Sequence, residues 1–329
     1  MLTWPHHASD WAPMLGEVEP VFVDIARHVA RFERLIITCF DDAHRQWVHS
    51  QLVRAAVPEN RVHLYVVPSN DTWVRDHGPI TVVGPRGPVL LDFTFNGWGN
   101  KFSAGLDDLI TRRLHACGAF AGTPLQSVPL VMEGGSLEVD GRGTLLTTSR
   151  CLLSTERNPR FDRTGIEAEL RAQLGIERVL WLEHGALEGD DTDSHIDTLA
   201  RFCDPETITY VACDDPGDDH FDDLAAMAAE LEALRQPDGR PYRLVPLPWP
   251  QPKRNAEGDR LPASYANFLI INGAVLVPTY QDAADGEALA RLHRVFRDRQ
   301  VIGVPCLPLI HQFGSLHCVT MQLPVGVLP

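Results

Sequence analysis

The chain has no basic footprint. Among its 329 residues, 29 Lys and Arg stand against 44 Asp and Glu, a formal charge of −15. Binding nucleic acid takes clustered positive charge to neutralise phosphates, so that class of partner is disfavoured. The same balance attracts small cations, although an acidic surface also serves solubility alone. No window approaches ~20 uninterrupted apolar residues, so no membrane-spanning helix and no membrane partner are expected. The opening MLTWPHHASDW has neither the basic start nor the apolar stretch of a secretory signal, which points to a cytoplasmic location. Seven cysteines (Cys39, Cys117, Cys151, Cys203, Cys213, Cys306, Cys318) include no CxxC pair and no zinc-like spacing. An odd, irregular set suits a reducing compartment in which most are small core residues.

What is present is ordinary in amount and regular in order. The apolar fraction of 44% is that of a globular protein, and the length allows one extended domain or two. Apolar runs read as short buried strands at Leu35–Cys39, Leu90–Phe95, Thr144–Thr148, Thr209–Cys213 and Ala274–Pro278. Helix-compatible stretches follow each, from Asp41, Ala104, Asp162, Asp218 and Asp285, most with a capping residue near the start. A second strand then closes each unit, from Val62, Ser127, Arg178, Tyr242 and Val301. Five strand–helix–strand units fit this order better than two domains, although any α/β chain alternates in this way.

Four polar knots interrupt the pattern, each after the second strand of a unit. They are NDTWVRDHGP (Asn70–Pro79), EGGS (Glu133–Ser136), SHID (Ser194–Asp197) and GSLHC (Gly314–Cys318). In a ring of repeats these segments converge on one end of a central channel. Cys318 alone passes for a buried residue of a strand LHCVTM, and on such a strand His317 points to the opposite face. If Cys318 is a nucleophile, its activation therefore comes from elsewhere in the chain or from a bound cation. His195 and Asp197 share a face if extended, as a ligand site or as a satisfied buried histidine. Asp71, Arg75 and Asp76 fit a surface turn or a site loop in which Arg75 holds the backbone and Asp76 faces inward. Glu133 ends an apolar strand, a costly place for a carboxylate unless it is paired or bound. Carboxylates in a group suit a guanidinium, a rigid fork of N–H donors. The acidic run Gly189–Asp193 reads as a solvated loop, and the residues around Lys253 as a polar insertion without a motif.

Taken together, the segments resemble the agmatine deiminase family, within the superfamily of arginine deiminases, amidinotransferases and peptidyl-arginine deiminases. The likeness rests on LTWPHHASDW, NDTWVRDHGP, FNGWGNKF, EGGSLEVDGRGTLLTT, CLLSTERNP, SHIDTLARF, LPASYANFLIINGAVLVPTY and SLHCVTMQLP, and runs almost end to end. It implies an α/β fold of the pentein type, a five-fold pseudo-symmetric propeller of αββαβ units, with residues 1–329 as one catalytic deiminase domain. It implies Cys318 as nucleophile, His195 as acid/base group, and Asp76, Glu133 and Asp197 as guanidinium ligands. Asp71 and Trp98 match segments that line or brace the substrate end. It further implies hydrolysis of agmatine to N-carbamoylputrescine and ammonia, with no metal and no organic cofactor. Departures fall at Gln312–Ser315, where plant-type relatives carry GGGN, at Thr198 in place of the Asn of HVDN, and at a shorter front. They spare the chemistry and bear on the substrate tail, leaving free arginine or peptidyl arginine as alternatives. A non-catalytic guanidine- or polyamine-binding protein and a zinc hydrolase are the rivals of other classes. The oligomeric state stays open, a homo-oligomer included.

Overall fold

A computed structural model describes residues 1–328. Five three-stranded sheets follow one another along the chain. The first holds β1 (Leu2–Thr3), β2 (Leu35–Cys39) and β3 (Val62–Val66). The second holds β4 (Ile80–Gly84), β5 (Gly87–Thr94) and β6 (Leu125–Val131). The third consists of β7 (Glu138–Val139), β8 (Thr144–Thr148) and β9 (Arg178–Leu182). The fourth consists of β10 (Ala200–Asp204), β11 (Thr207–Val211) and β12 (Arg243–Leu247). A small hairpin, β13 (Lys253–Arg254) and β14 (Arg260–Leu261), precedes the fifth sheet, β15 (Leu269–Ile271), β16 (Ala274–Thr279) and β17 (Gln300–Pro305).

Within the first four sheets the middle and last strands run parallel, and in the second to fourth the first strand is antiparallel to the middle one. A parallel pair needs a crossover, and a helix supplies each one. In chain order the helices are α1 (Leu15–Val29), α2 (Asp42–Arg54), α3 (Val74–His77), α4 (Gly97–Asn100, a single left-handed turn) and α5 (Ile110–Ala116). Then come α6 (Ser149–Leu152), α7 (Arg163–Leu174), α8 (Phe221–Ala233), α9 (Asp285–Val295) and α10 (Leu307–Ile310). Between the middle and last strands the helices are α2, α5, α7, α8 and α9, one per sheet, as the alternation in the sequence leads one to expect, and α1 joins the further parallel pair β1–β2.

Local chemistry sets several boundaries. Asp41 caps α2 by accepting the His44 N–H at 2.7 Å, and Asp162 caps α7 by accepting the Gly165 N–H at 2.9 Å. Gly175 ends α7 in the left-handed region (φ +69°), where a side chain would be strained. Asp218, expected to open α8, has other work. Its carboxylate takes His220, Trp249 and Arg260, and the helix starts at Phe221. The insertion around Lys253 is a formed hairpin: Lys253 is ion-paired to Asp282 at 2.8 Å and Arg260 to Asp218 at 2.9 Å.

Two compact units divide the chain. Among the described residues, the first comprises 1–134, 269–276 and 316–328, and the second 135–268 and 277–315. In the first unit, Ile36, Val74, Leu90, Ile110, Phe120 and Met321 belong to one apolar core, which seats α3 and the C-terminal segment together. In the second, the buried Arg201 guanidinium is paired to Glu138 at 2.6 Å and donates to the carbonyls of Ala266 and Phe268. A guanidinium satisfied on several sides can stay charged away from water.

Candidate active site

Three of the four polar knots contribute residues to the first unit (70–79, 133–134 and 316–318), and these segments meet around Arg75. Its backbone N–H donates to the Cys318 carbonyl at 3.1 Å, and its side chain donates to the His317 carbonyl at 3.4 Å and to Gln322. On the other side lies Gly134. A Cβ built there would stand 2.2 Å from the Arg75 carbonyl oxygen and 3.2 Å from Met321 Cε. Glycine is what lets the EGG backbone lie on the RD backbone, directly beside the fully buried Glu133. Cys318 is 7% exposed and sits in a turn spanning residues 316–319, closed by the Thr320 N–H and hydroxyl on the His317 carbonyl. The strand expected at LHCVTM is therefore a turn, so the two-face argument about His317 does not apply. Gly314 and Ser315 precede the turn.

Asp76 is buried on α3 and accepts the Trp98 indole N–H at 3.0 Å. Trp98 reaches it from α4, where Gly97, Trp98, Gly99 and Asn100 all have positive φ. A left-handed conformation costs a side-chain-bearing residue about 1–2 kcal/mol, so Trp98 is held against its preference. The ring edges of Phe95 and Phe102 pack against Trp98, with centroids at 5.0 and 5.6 Å.

The Asn70–Asp71 pair is wired into the same unit. Asn70 and Asp71 donate their N–H groups to Asp107, and the Asn70 side-chain oxygen accepts from Leu106 N–H at 2.7 Å. Asp71 itself accepts from Trp11 Nε1 at 2.9 Å and Thr72 N–H at 2.7 Å while keeping partial contact with solvent. Burial pushes its pKa up to about 6, opposed by those donors. Asp107 is raised well above the usual range, by burial first and then by the charge of Asp71. His77, next to Asp76, points elsewhere in its contacts: both ring nitrogens are buried without a hydrogen-bond partner, and burial pulls its pKa down to about 3.

The fourth knot lies in the second unit. His195 and Asp197 are buried, but Ile196–Thr198 forms a 3-10 turn, so the extended HxD with a shared face is corrected. The Thr198 hydroxyl donates to the His195 carbonyl at 2.9 Å, the Ser264 hydroxyl donates to the Thr198 carbonyl, and Asn267 donates to the Asp197 carbonyl at 3.3 Å. The motif LPASYANF thus braces the HID turn through Ser264 and Asn267. Cys151 Sγ and a ring nitrogen of His195 lie within 4.8 Å, a neighbour that spacing alone does not reveal. Thr148 caps α6 and also donates to the Ser194 carbonyl at 2.7 Å. The run Gly189–Asp193, expected as a solvated loop, is instead partly buried and tied down by Arg157.

Similarity to known proteins sets the class first. The chain superposes on a crystal structure from Porphyromonas gingivalis, provisionally named an arginine deiminase, with 55% identity and a TM-score of 0.93 over 100% of this chain and 96% of that one. It also superposes on a C. jejuni agmatine deiminase, a cysteine-to-serine variant with substrate bound, at 36% identity and a TM-score of 0.89, covering 97% of this chain and 91% of that chain. The architecture is that of the α/β pentein hydrolases, which modify guanidines. Residues 1–324 match the model of the Porphyromonas-type peptidyl-arginine deiminase, and the chain belongs to that family. An agmatine deiminase from Stutzerimonas stutzeri is 33% identical over 98% of this chain and 92% of its own length. The protein is a cysteine hydrolase of this deiminase group. Among the described residues, no helix is long and apolar enough to cross a membrane.

Proposed function

We propose that the protein is an agmatine deiminase, converting agmatine and water to N-carbamoylputrescine and ammonia. The observation that carries the reading is the meeting, at Arg75, of the segments that bear Asp76, Glu133 and Cys318. The agmatine deiminases among the relatives support the substrate.

In this reading Asp76, Glu133 and Asp197 hold the N–H groups of the guanidinium, fixing its charge and presenting its carbon. Trp98 keeps Asp76 oriented, and Asp71 accompanies it at the substrate end. The Cys318 thiolate attacks the guanidinium carbon, forming the C–S bond. His195 protonates the departing nitrogen, and the C–N bond breaks to release ammonia and leave an S-alkylthiouronium. His195 then takes a proton from water, whose oxygen adds to the same carbon. Collapse breaks the C–S bond, returning the thiolate and a urea. The steps balance with water as the only co-substrate.

The arrangement we favour is the finer one that the five sheets suggest: a five-fold pseudo-symmetric propeller of αββαβ units, working as a single catalytic domain in the cytoplasm. A second reading, deimination of free or peptidyl arginine, is favoured by the name of the 55% identical relative and by the family description. Turnover assays with agmatine, arginine and a C-terminal arginine peptide, reading ammonia and the urea product, separate the two. Ammonia from arginine but not from agmatine would sink the first. Cys318→Ala is expected to lose turnover by at least about four orders of magnitude with a melting temperature near that of the parent. A large stability change with residual turnover would instead mark Cys318 as structural.

A further inference from the structure

The residues immediately before His195 are conformationally unusual. Asp193 and Ser194 both have φ +66°, two successive side-chain-bearing residues in the left-handed region. Neither has glycine's freedom there, although aspartate enters that region more readily than serine, and two such residues in succession are held by their surroundings. What holds it comes largely from one short stretch of the second unit, Thr148–Arg157. The Arg157 side chain is 1% exposed and donates to Asp193 Oδ2 at 2.6 Å and to the Thr192 carbonyl at 2.9 Å. The Thr148 hydroxyl fixes the Ser194 carbonyl, and Arg150 reaches the Ser194 hydroxyl at 3.5 Å. Cys151, between them, lies beside the His195 ring. From within the loop, Asp190 accepts the Ser194 N–H at 2.7 Å, and the Thr192 hydroxyl accepts the His195 N–H at 3.1 Å.

Arg157 differs from the other contacts in kind. Its planar fork joins a side chain and a main-chain carbonyl on consecutive residues, so it fixes backbone direction and not only distance. We propose that Arg157 is a positioning residue for the deiminase reaction, clamping Thr192 and Asp193 so that the left-handed Asp193–Ser194 link aims the imidazole of His195. The proposal rests on the reading of His195 as the acid/base group. Its signature is a loss in kcat with KM little changed, because the clamp acts on proton transfer and leaves the carboxylates that hold the substrate in place.

The test uses the full chain, with ammonia release from agmatine and melting temperature as readouts. Arg157→Ala is expected to lower kcat about 30- to 100-fold, as a misplacement on the order of 1 Å does, with KM within about threefold. Asp193→Asn removes the same ion pair from its more exposed side, is expected to lower kcat by about tenfold, and serves where Arg157→Ala does not fold. Adding Ser194→Gly to Arg157→Ala is expected to recover kcat by at least about fivefold, since glycine adopts the left-handed conformation without the penalty. Wild-type kcat in a folded Arg157→Ala or Asp193→Asn protein overturns the proposal. So does a loss of kcat that follows the melting temperature and is not recovered by the glycine. His195→Ala separates the levels. Turnover surviving in that variant, or absent from the wild type, overturns the underlying reading, whereas a dead His195→Ala beside a fully active Asp193→Asn overturns the Arg157 assignment alone.

Discussion

Gly134→Ala asks whether the seam between the EGG and RD segments sets the geometry of the site. The added Cβ would stand 2.2 Å from the Arg75 carbonyl oxygen, and real side-chain carbons essentially never come closer than 3.0 Å to such an atom. The obstacle is backbone, not the free end of a side chain, so the two segments must part by about 0.8 Å. Backbone φ at Gly134 lies outside the left-handed region, so the substitution acts through contact and not through torsional strain. Arg75 also carries the Cys318 and His317 carbonyls, and displacing it moves the nucleophile turn relative to Glu133 and Asp76. A shift on the order of 1 Å can cost about 100-fold in rate, so kcat should fall by about 10- to 100-fold. Overpacking of this kind costs about 1–3 kcal/mol in stability, which leaves a protein of this size folded at room temperature. Steady-state ammonia release and a urea titration on the same preparation measure both. Gly16→Ala, on α1 with nothing within 4 Å of the added carbon, is the control and should be neutral or stabilised by up to about 1 kcal/mol. A Gly134→Ala enzyme with kcat within twofold of the parent would refute the view that this seam positions the thiol and the clamp.

Trp98→Phe keeps an aromatic ring between Phe95 and Phe102 but deletes the N–H that Asp76 accepts at 3.0 Å. A hydrogen bond to a charged group contributes about 1.5–3 kcal/mol, so kcat/KM for agmatine should drop by about 10- to 150-fold, and an unchanged value would release Trp98 from the site. Acid stability should report on His77. Its folded pKa, depressed to about 3, lies below the unfolded value of 6.5, so its contribution is complete above about pH 6.5 and is lost as pH falls toward 3. The raised carboxyls Asp71 and Asp107 act in the opposite sense, so the measurement has to be a difference between two proteins. Relative to wild type, His77→Met should gain about 1.4 kcal/mol per pH unit below 6.5 in urea titrations. A pH-independent difference would mean that His77 finds a proton-accepting partner.

Much of the architecture is written in the order of residues. The middle strands β2, β8 and β11 are buried along their whole length, and burial on both faces leaves continuous apolar runs such as LIITC and TLLTT. The first strands were hidden for the complementary reason. β7 is two residues long, and β4 mixes partly buried with exposed positions, so neither leaves a hydrophobic signature. Cap residues were legible where the carboxylate had no better partner, as at Asp41 and Asp162. At Asp218 they were not, because the neighbouring His220 and two donors distant in sequence, Trp249 and Arg260, claimed it.

For the site, the sequence by itself determined the residue types, their order and the family that carries them: Asp76, Glu133, His195, Asp197 and Cys318, each placed after the closing strand of a repeat. Only the tertiary structure decided how the backbone presents them. It turned LHCVTM and HID from strands into turns, laid Gly134 on the Arg75 carbonyl, and set Trp98 in a left-handed turn against Asp76. It also brought Arg157 to a loop more than 30 residues away. The physical reason is that strand and helix periodicity are local and leave a repeating mark. A buried polar group is satisfied by whichever donor or acceptor the folded chain brings within about 3 Å, and that choice has no period to read.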